Sequence, residues 1–162
     1  MSISTQELNK LASHVLDLLE RKELTLAGAE SATGGLASAC LTNIPGCSKH
    51  FIGSVVCYTA QAKNMLLDVD WDLINAYGTV SSEVITAMLT GLNKVGADVT
   101  FAITGVAQSP LDGKPTGTVI IGINILNDIH ISEFNFKGNR LEIKEQAVAK
   151  MFELLLTELE RL

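Results

Sequence analysis

The stretch LTLAGAESATGGLASACL, residues 24–41, decides the fold class. Leu24 to Ala29 is an apolar run of strand length. Glu30-Ser31-Ala32-Thr33-Gly34-Gly35 is a turn of small and hydroxyl-bearing residues, and Leu36 to Leu41 resumes an Ala- and Leu-rich helical pattern. Strand, turn and helix in succession are the unit from which α/β domains are built. The turn has two readings. Unpaired N–H groups and the helix dipole, with Ser31 and Thr33 as hydroxyl donors, would cradle a phosphate or carboxylate. Alternatively, Thr33 caps the helix and the two glycines allow close packing. The spacing is neither G-x-x-x-x-G-K-[ST] nor G-x-G-x-x-G.

On the N-terminal side, Leu8, Leu11, Val15, Leu18 and Leu19 recur at helical spacing over residues 4–22, and Ser4 with Glu7 has the capping-box pattern. On the C-terminal side, Asn43 to Ser48 holds turn formers, and Phe51 to Tyr58 reads as a buried strand. Short helices are expected over about 60–67 and from Asp70 or Asp72 to Tyr77. A longer one is expected over 82–95, capped by Ser81 and ended by Gly96. Val99 to Ile103 is strand-like and enters a breaker-rich loop, 104–115. Thr118–Ile125 and Ile129–Phe136 form a hairpin, and Leu141–Leu162 closes the chain as an amphipathic helix. The pattern predicts an α/β domain with a mixed sheet.

Composition narrows the function. The chain has 162 residues, fitting one domain over 1–162, with 47% hydrophobic residues and a mean hydropathy of +0.29. Twelve Lys and Arg against 18 Asp and Glu give a net charge of −6, which argues against a nucleic-acid partner. The odd set Cys40, Cys47 and Cys57 has no C-x-x-C spacing, and a reducing cytoplasm is the expected setting. The opening residues lack the pattern of a secretory signal, and the charge-free stretch Ser31–Ser48 is broken by Gly, Asn and Pro, so no membrane span is expected. His14, His50 and His130 share no metal-ligand spacing, and no metal is expected.

Ser48, Tyr58 and Lys63 form the candidate catalytic set: Ser48 precedes the second strand, Tyr58 ends it, and Lys63 lies about one helical turn beyond. A desolvated lysine with a lowered pKa can take a serine's proton without histidine. The competing reading is a loop serine, a strand-end aromatic and a solvated lysine. Cys47 is read as a packed thiol rather than a nucleophile. Tyr58 and Lys63 are five residues apart, which does not fit the short-chain dehydrogenase pair, and Lys114-Pro115-Thr116-Gly117 lacks the S-x-x-K partner of a β-lactamase. Arg140, at the start of the last helix, suits either a phosphate contact or an ordinary surface position.

Six ordered segments resemble the C-terminal domain of the competence/damage-inducible CinA family. They are Ala29 to Gly35, Pro45-Gly46-Cys47-Ser48, Tyr58 with Ala62-Lys63, Gly78-Thr79-Val80-Ser81, Thr104-Gly105-Val106-Ala107, and Lys114 to Val119. The resemblance implies a single three-layer α/β/α domain with a mixed β-sheet, usually a homo-oligomer, needing no metal or organic cofactor. It implies an amidohydrolase that converts nicotinamide mononucleotide and water to nicotinic acid mononucleotide and ammonia. By motif position, Ser48 would be nucleophile, Lys63 general base and Tyr58 a proton relay or orienter. Ser31, Thr33, Gly34, Thr104, Gly105 and Arg140 would hold the nucleotide. The chain departs from the family pattern at Ala32, where cysteine is common, at Asn139, where aspartate is usual, and at Gln108, where a loop glycine is expected. The altered loop motivates two alternatives: a catalytically silent homologue that binds a nucleotide or protein partner, and an amidase for another small amide.

Overall fold

The computed structural model describes residues 2–162. Five strands, β1 (Leu26–Glu30), β2 (Phe51–Val56), β3 (Val99–Gly105), β4 (Thr118–Ile125) and β5 (Asp128–Asn135), form one sheet in the order β2-β1-β3-β4-β5. β2, β1 and β3 are parallel; β4 and β5 run antiparallel to their neighbours. The mixed sheet follows from the connections. Helix α2 (Leu36–Thr42) carries the chain from β1 to a parallel partner, whereas the Leu126-Asn127 turn, both residues at positive φ, joins β4 and β5 directly.

Helices α1 (Thr5–Lys22), α2 and α6 (Arg140–Glu160) cover one face of the sheet; α3 (Ala60–Leu67), α4 (Trp71–Tyr77) and α5 (Ser82–Gly91) cover the other, giving three layers. Strand alternation sorts side chains between two cores: Phe101 and Ile103 join Leu8, Leu19 and Phe152, while Ala102 and Ile120 join Leu67, Met88 and Leu89. Within β1, Gly28 is held to a small residue by the opposite strand. It stands opposite Phe101 in the β1–β3 register, and a Cβ built on it would lie 2.2 Å from the Phe101 ring.

Several boundaries differ from expectation. The 82–95 helix ends at Gly91 and tightens into a 3₁₀ turn over Leu92–Val95. Gly91 packs so closely on α3 that its Cβ would lie 2.1 Å from the Leu67 carbonyl oxygen. Strand β2 is not buried throughout. It is an edge strand with β1 as its one neighbour, and Ile52 and Val56 are exposed. Ser4 and Glu7 form the expected capping box on α1, and Ser81 caps α5 through the Val84 N–H. Among the described residues, no helix is long and apolar enough to cross a membrane.

Candidate active site

The C-terminal ends of the three parallel strands meet at one edge of the sheet, where open α/β sheets place their ligand crevices. β1 delivers Glu30 and Ser31, β2 leads to Cys57 and Tyr58, and β3 delivers Thr104 and Gly105. A cavity of about 270 Å³ opens there, lined in part by Ser31, Tyr58, Lys63, Thr104, Gly105 and Arg140. It adjoins a wider cleft of about 670 Å³ bordered by Trp71 and Tyr77, and the two share Tyr58, Thr79 and Leu111.

Lys63 is the anomaly at its base. It is 1% exposed, a charged side chain among the largest fully buried ones, on a helix that otherwise buries little. Its Nζ donates to Ser31 Oγ at 2.9 Å and to the Cys57 carbonyl at 3.2 Å. Ser31 Oγ in turn lies 3.3 Å from the Tyr58 carbonyl, which accepts its proton. Burial pulls the Lys63 ammonium below its ordinary range, opposed by the neighbouring Cys57 thiol. The thiol is itself pushed up, chiefly by burial, and is fully enclosed. A lysine held this way reaches the neutral, proton-accepting form more readily than a surface lysine, within one hydrogen bond of a serine hydroxyl.

The serine it touches is Ser31, which corrects the expected pairing. Ser48 is exposed on a 3₁₀ turn, Cys47–Lys49, before the N-terminal end of β2. Lys63 Nζ binds Cys57, just beyond the other end. The six residues of β2 span about 20 Å. Within one chain Ser48 and Lys63 therefore stand at opposite edges of the sheet and form no dyad. Sequence spacing suggested convergence because it counted Ser48 and Tyr58 as neighbours of the same strand, whereas a strand sends its two ends to opposite edges.

The 30–35 turn also differs from both of its readings. Glu30 is fully buried, and its carboxylate accepts five hydrogen bonds: from Thr33 Oγ1 at 2.7 Å, the Gly35 and Ala37 N–H groups at 3.1 Å, the Ser38 N–H at 2.8 Å and Ser38 Oγ at 2.6 Å. The anion at the start of α2 is thus the chain's own. Thr33 neither caps the helix nor faces the cavity; it is wholly buried and holds Glu30. Gly34 does not line the cavity, and it and Gly35 adopt φ of +60° and +100°, a left-handed backbone that lets the chain double back over Glu30. Glu30 therefore fixes the residue that follows it, Ser31. A carboxylate ending a strand directly before a hydroxyl-rich, glycine-bearing turn was the signal that could have shown this.

Of the remaining candidates, Thr104 lines the cavity and donates from Oγ1 to the Thr79 carbonyl at 2.9 Å, tying β3 to the 78–81 segment. Gly105 lies in the wall, where a Cβ would come within 2.9 Å of the Thr118 carbonyl oxygen. Arg140 sits at the rim. Its Nη1 donates to Tyr58 Oη at 3.1 Å, and its Nε and Nη2 donate to Gln108 Oε1 at 3.1 and 2.8 Å. Nothing in the sequence of the 104–115 loop signals that Gln108 contact, which depends on where α6 begins in space. His50 Nδ1 pairs with the Leu24 carbonyl and His130 Nε2 with Asp128. Among the described residues no group of three or more His, Cys, Asp or Glu side chains is placed to hold a metal ion.

The comparisons with known proteins agree with this architecture. A CinA-like protein of Desulfotalea psychrophila is 43% identical over 141 residues, 85% of this chain and 34% of that protein. A CinA-like protein of Dictyoglomus thermophilum is 42% identical over 133 residues, 80% of this chain and 32% of that protein. The chain thus spans about a third of the length of these curated relatives. A CinA superfamily protein from Klebsiella pneumoniae superposes with a TM-score of 0.92 at 29% identity, covering 96% of this chain and 99% of that one. One from Escherichia coli gives 0.89 at 28% identity, covering 97% and 94%. The family model of the CinA C-terminal domain matches residues 8–159. A match over nearly the whole length, with the same mixed sheet, means that the chain belongs to the CinA C-terminal domain family.

Proposed function

We propose that this chain is an amidohydrolase that deamidates nicotinamide mononucleotide to nicotinic acid mononucleotide and ammonia, with Ser31 as nucleophile and Lys63 as general base. The observation that carries the reading is the 2.9 Å contact between a buried lysine amine and a serine hydroxyl at the floor of a crevice. The substrate is suggested by the family resemblance, and the reading includes a homo-oligomer working in the cytoplasm.

In the neutral form Lys63 takes the Ser31 proton as Oγ attacks the carboxamide carbon, reversing donor and acceptor along the same hydrogen bond. The oxyanion so formed needs N–H donors. The Ala32 N–H, directly after the nucleophile, makes no hydrogen bond within the described chain and belongs to a residue that lines the cavity. The Lys63 ammonium then returns its proton to the leaving nitrogen, the C–N bond breaks, ammonia departs, and Ser31 is left as an ester. Water attacks the ester with Lys63 again accepting the proton, and the acid leaves as Ser31 is restored. Tyr58 Oη, bonded to Arg140, stands at the mouth to orient the substrate. Arg140 offers charge to the phosphate.

The test is incubation of the purified chain with nicotinamide mononucleotide, following ammonia and nicotinic acid mononucleotide. Stoichiometric release of both, lost in Lys63→Met, is the expected result. A folded wild-type chain that binds the mononucleotide without turning it over would overturn the reading in favour of a silent binder. Turnover of other small carboxamides alone would move the substrate while keeping the dyad.

A further inference from the structure

The edge of the Arg140 guanidinium formed by Nε and Nη2 is the edge that grips carboxylate or phosphate oxygens in a two-pronged fashion. Here both nitrogens converge on one atom, Gln108 Oε1. The third direction, Nη1, is taken by Tyr58 Oη. Gln108 thus supplies a neutral oxygen where an anionic ligand oxygen would sit, at the rim of the crevice that contains Ser31 and Lys63. Both Gln108 and Arg140 are exposed, so solvent can replace the contact at little cost.

The backbone beneath Gln108 is anchored separately. The Gln108 carbonyl accepts from Thr116 Oγ1 at 2.5 Å, and Asp112 Oδ2 accepts from the Thr79 N–H at 2.9 Å and Thr79 Oγ1 at 3.1 Å. Release of Arg140 therefore requires a change in the Gln108 side-chain rotamer and no opening of the loop.

We infer that Gln108 is a specificity-determining residue that acts as an internal competitor for the Arg140 anion site, so that a phosphate monoester enters by displacing the Gln108 carboxamide. This rests on the proposed reading of Arg140 as the phosphate contact. Two substitutions at the same position must then act in opposite directions. Gln108→Ala removes the competitor and leaves Arg140 held by Tyr58. Gln108→Glu replaces a neutral oxygen by a charged one and blocks the site more firmly.

The experiment is calorimetric titration of the full chain with ribose 5-phosphate, which carries the phosphate and has no carboxamide to hydrolyse. Gln108→Ala should tighten binding about two- to tenfold, the net worth of the exposed contact in which two donors share one oxygen. Gln108→Glu should weaken it about two- to fivefold relative to wild type, as an exposed ion pair would. Adding Arg140→Ala to Gln108→Ala should erase the gain. Unchanged or weaker binding in Gln108→Ala, Gln108→Glu binding as tightly as wild type, or no binding by any variant at millimolar concentration would each overturn the inference. Turnover is not the readout, so failure of the deamidase reaction would show separately, as absent ammonia release alongside an intact pattern of binding.

Discussion

Replacing Glu30 by glutamine changes a single atom and should destabilise the whole chain. The carboxylate divides its five donors unequally: Oε2 accepts from Thr33 Oγ1, Gly35 N and Ala37 N, and Oε1 from Ser38 N and Ser38 Oγ. The least damaging glutamine keeps its oxygen at the Oε2 position and points its NH2 at Ser38. The Ser38 hydroxyl can rotate to accept from that NH2, because it also contacts Ser54 Oγ and has no fixed proton. The Ser38 N–H cannot; it becomes a part-buried donor facing another donor. Leaving one such donor unsatisfied costs about 1–3 kcal/mol, and the remaining bonds lose their charge assistance. A total of about 3 kcal/mol follows, which at an m-value of about 2 kcal/mol/M moves a urea midpoint down by about 1.5 M. Glu30→Ala orphans all five donors and should leave the chain largely unfolded. Urea titration followed by circular dichroism checks this. A Glu30→Gln midpoint within about 0.3 M of wild type would refute the claim that this carboxylate organises the turn.

Gly28→Ala drives a methyl into the Phe101 ring and should cost about 1–3 kcal/mol by thermal melting, with Phe101→Leu in the same chain recovering part of the loss. Because burial depresses the Lys63 pKa in the folded state, the unfolded chain binds the extra proton between that lowered value and 10.5, so stability rises with pH across this window. Lys63→Met should remove that rise in denaturant titrations at successive pH values. Turnover should climb with pH through the same lowered pKa, and a flat profile with chemistry rate-limiting would count against Lys63 as the base.

Much of the fold is written in local pattern. The residues 24–41 unit announces an α/β sheet, Leu126-Asn127-Asp128 announces the late hairpin, and Ser4 with Glu7 and Ser81 mark helix starts that the structure retains. Edge position was not legible, because the Val-rich β2 looks like an interior strand until its one neighbour is known. The site divides in the same way. Lys63 stands out in sequence only by the company of Tyr58, yet its burial depends on packing among α3, β1 and β2 that no spacing encodes. The turn after β1 reads in sequence as an anion cradle, which makes Ser31 a ligand-holding residue. Glu30 fills that cradle, and once it does, the hydroxyl beside it is free to face Lys63.

On the proposed reading Ser31, not Ser48, carries the chemistry with Lys63. The most direct test is to measure kcat/KM for nicotinamide mononucleotide in Ser31→Ala and Ser48→Ala side by side, with circular dichroism confirming that both fold. Loss of the nucleophile in Ser31→Ala should cut turnover by at least about 10³-fold, with Ser48→Ala staying within about threefold of wild type. Abolished turnover in Ser48→Ala with Ser31→Ala still active would remove Ser31 from the role of nucleophile.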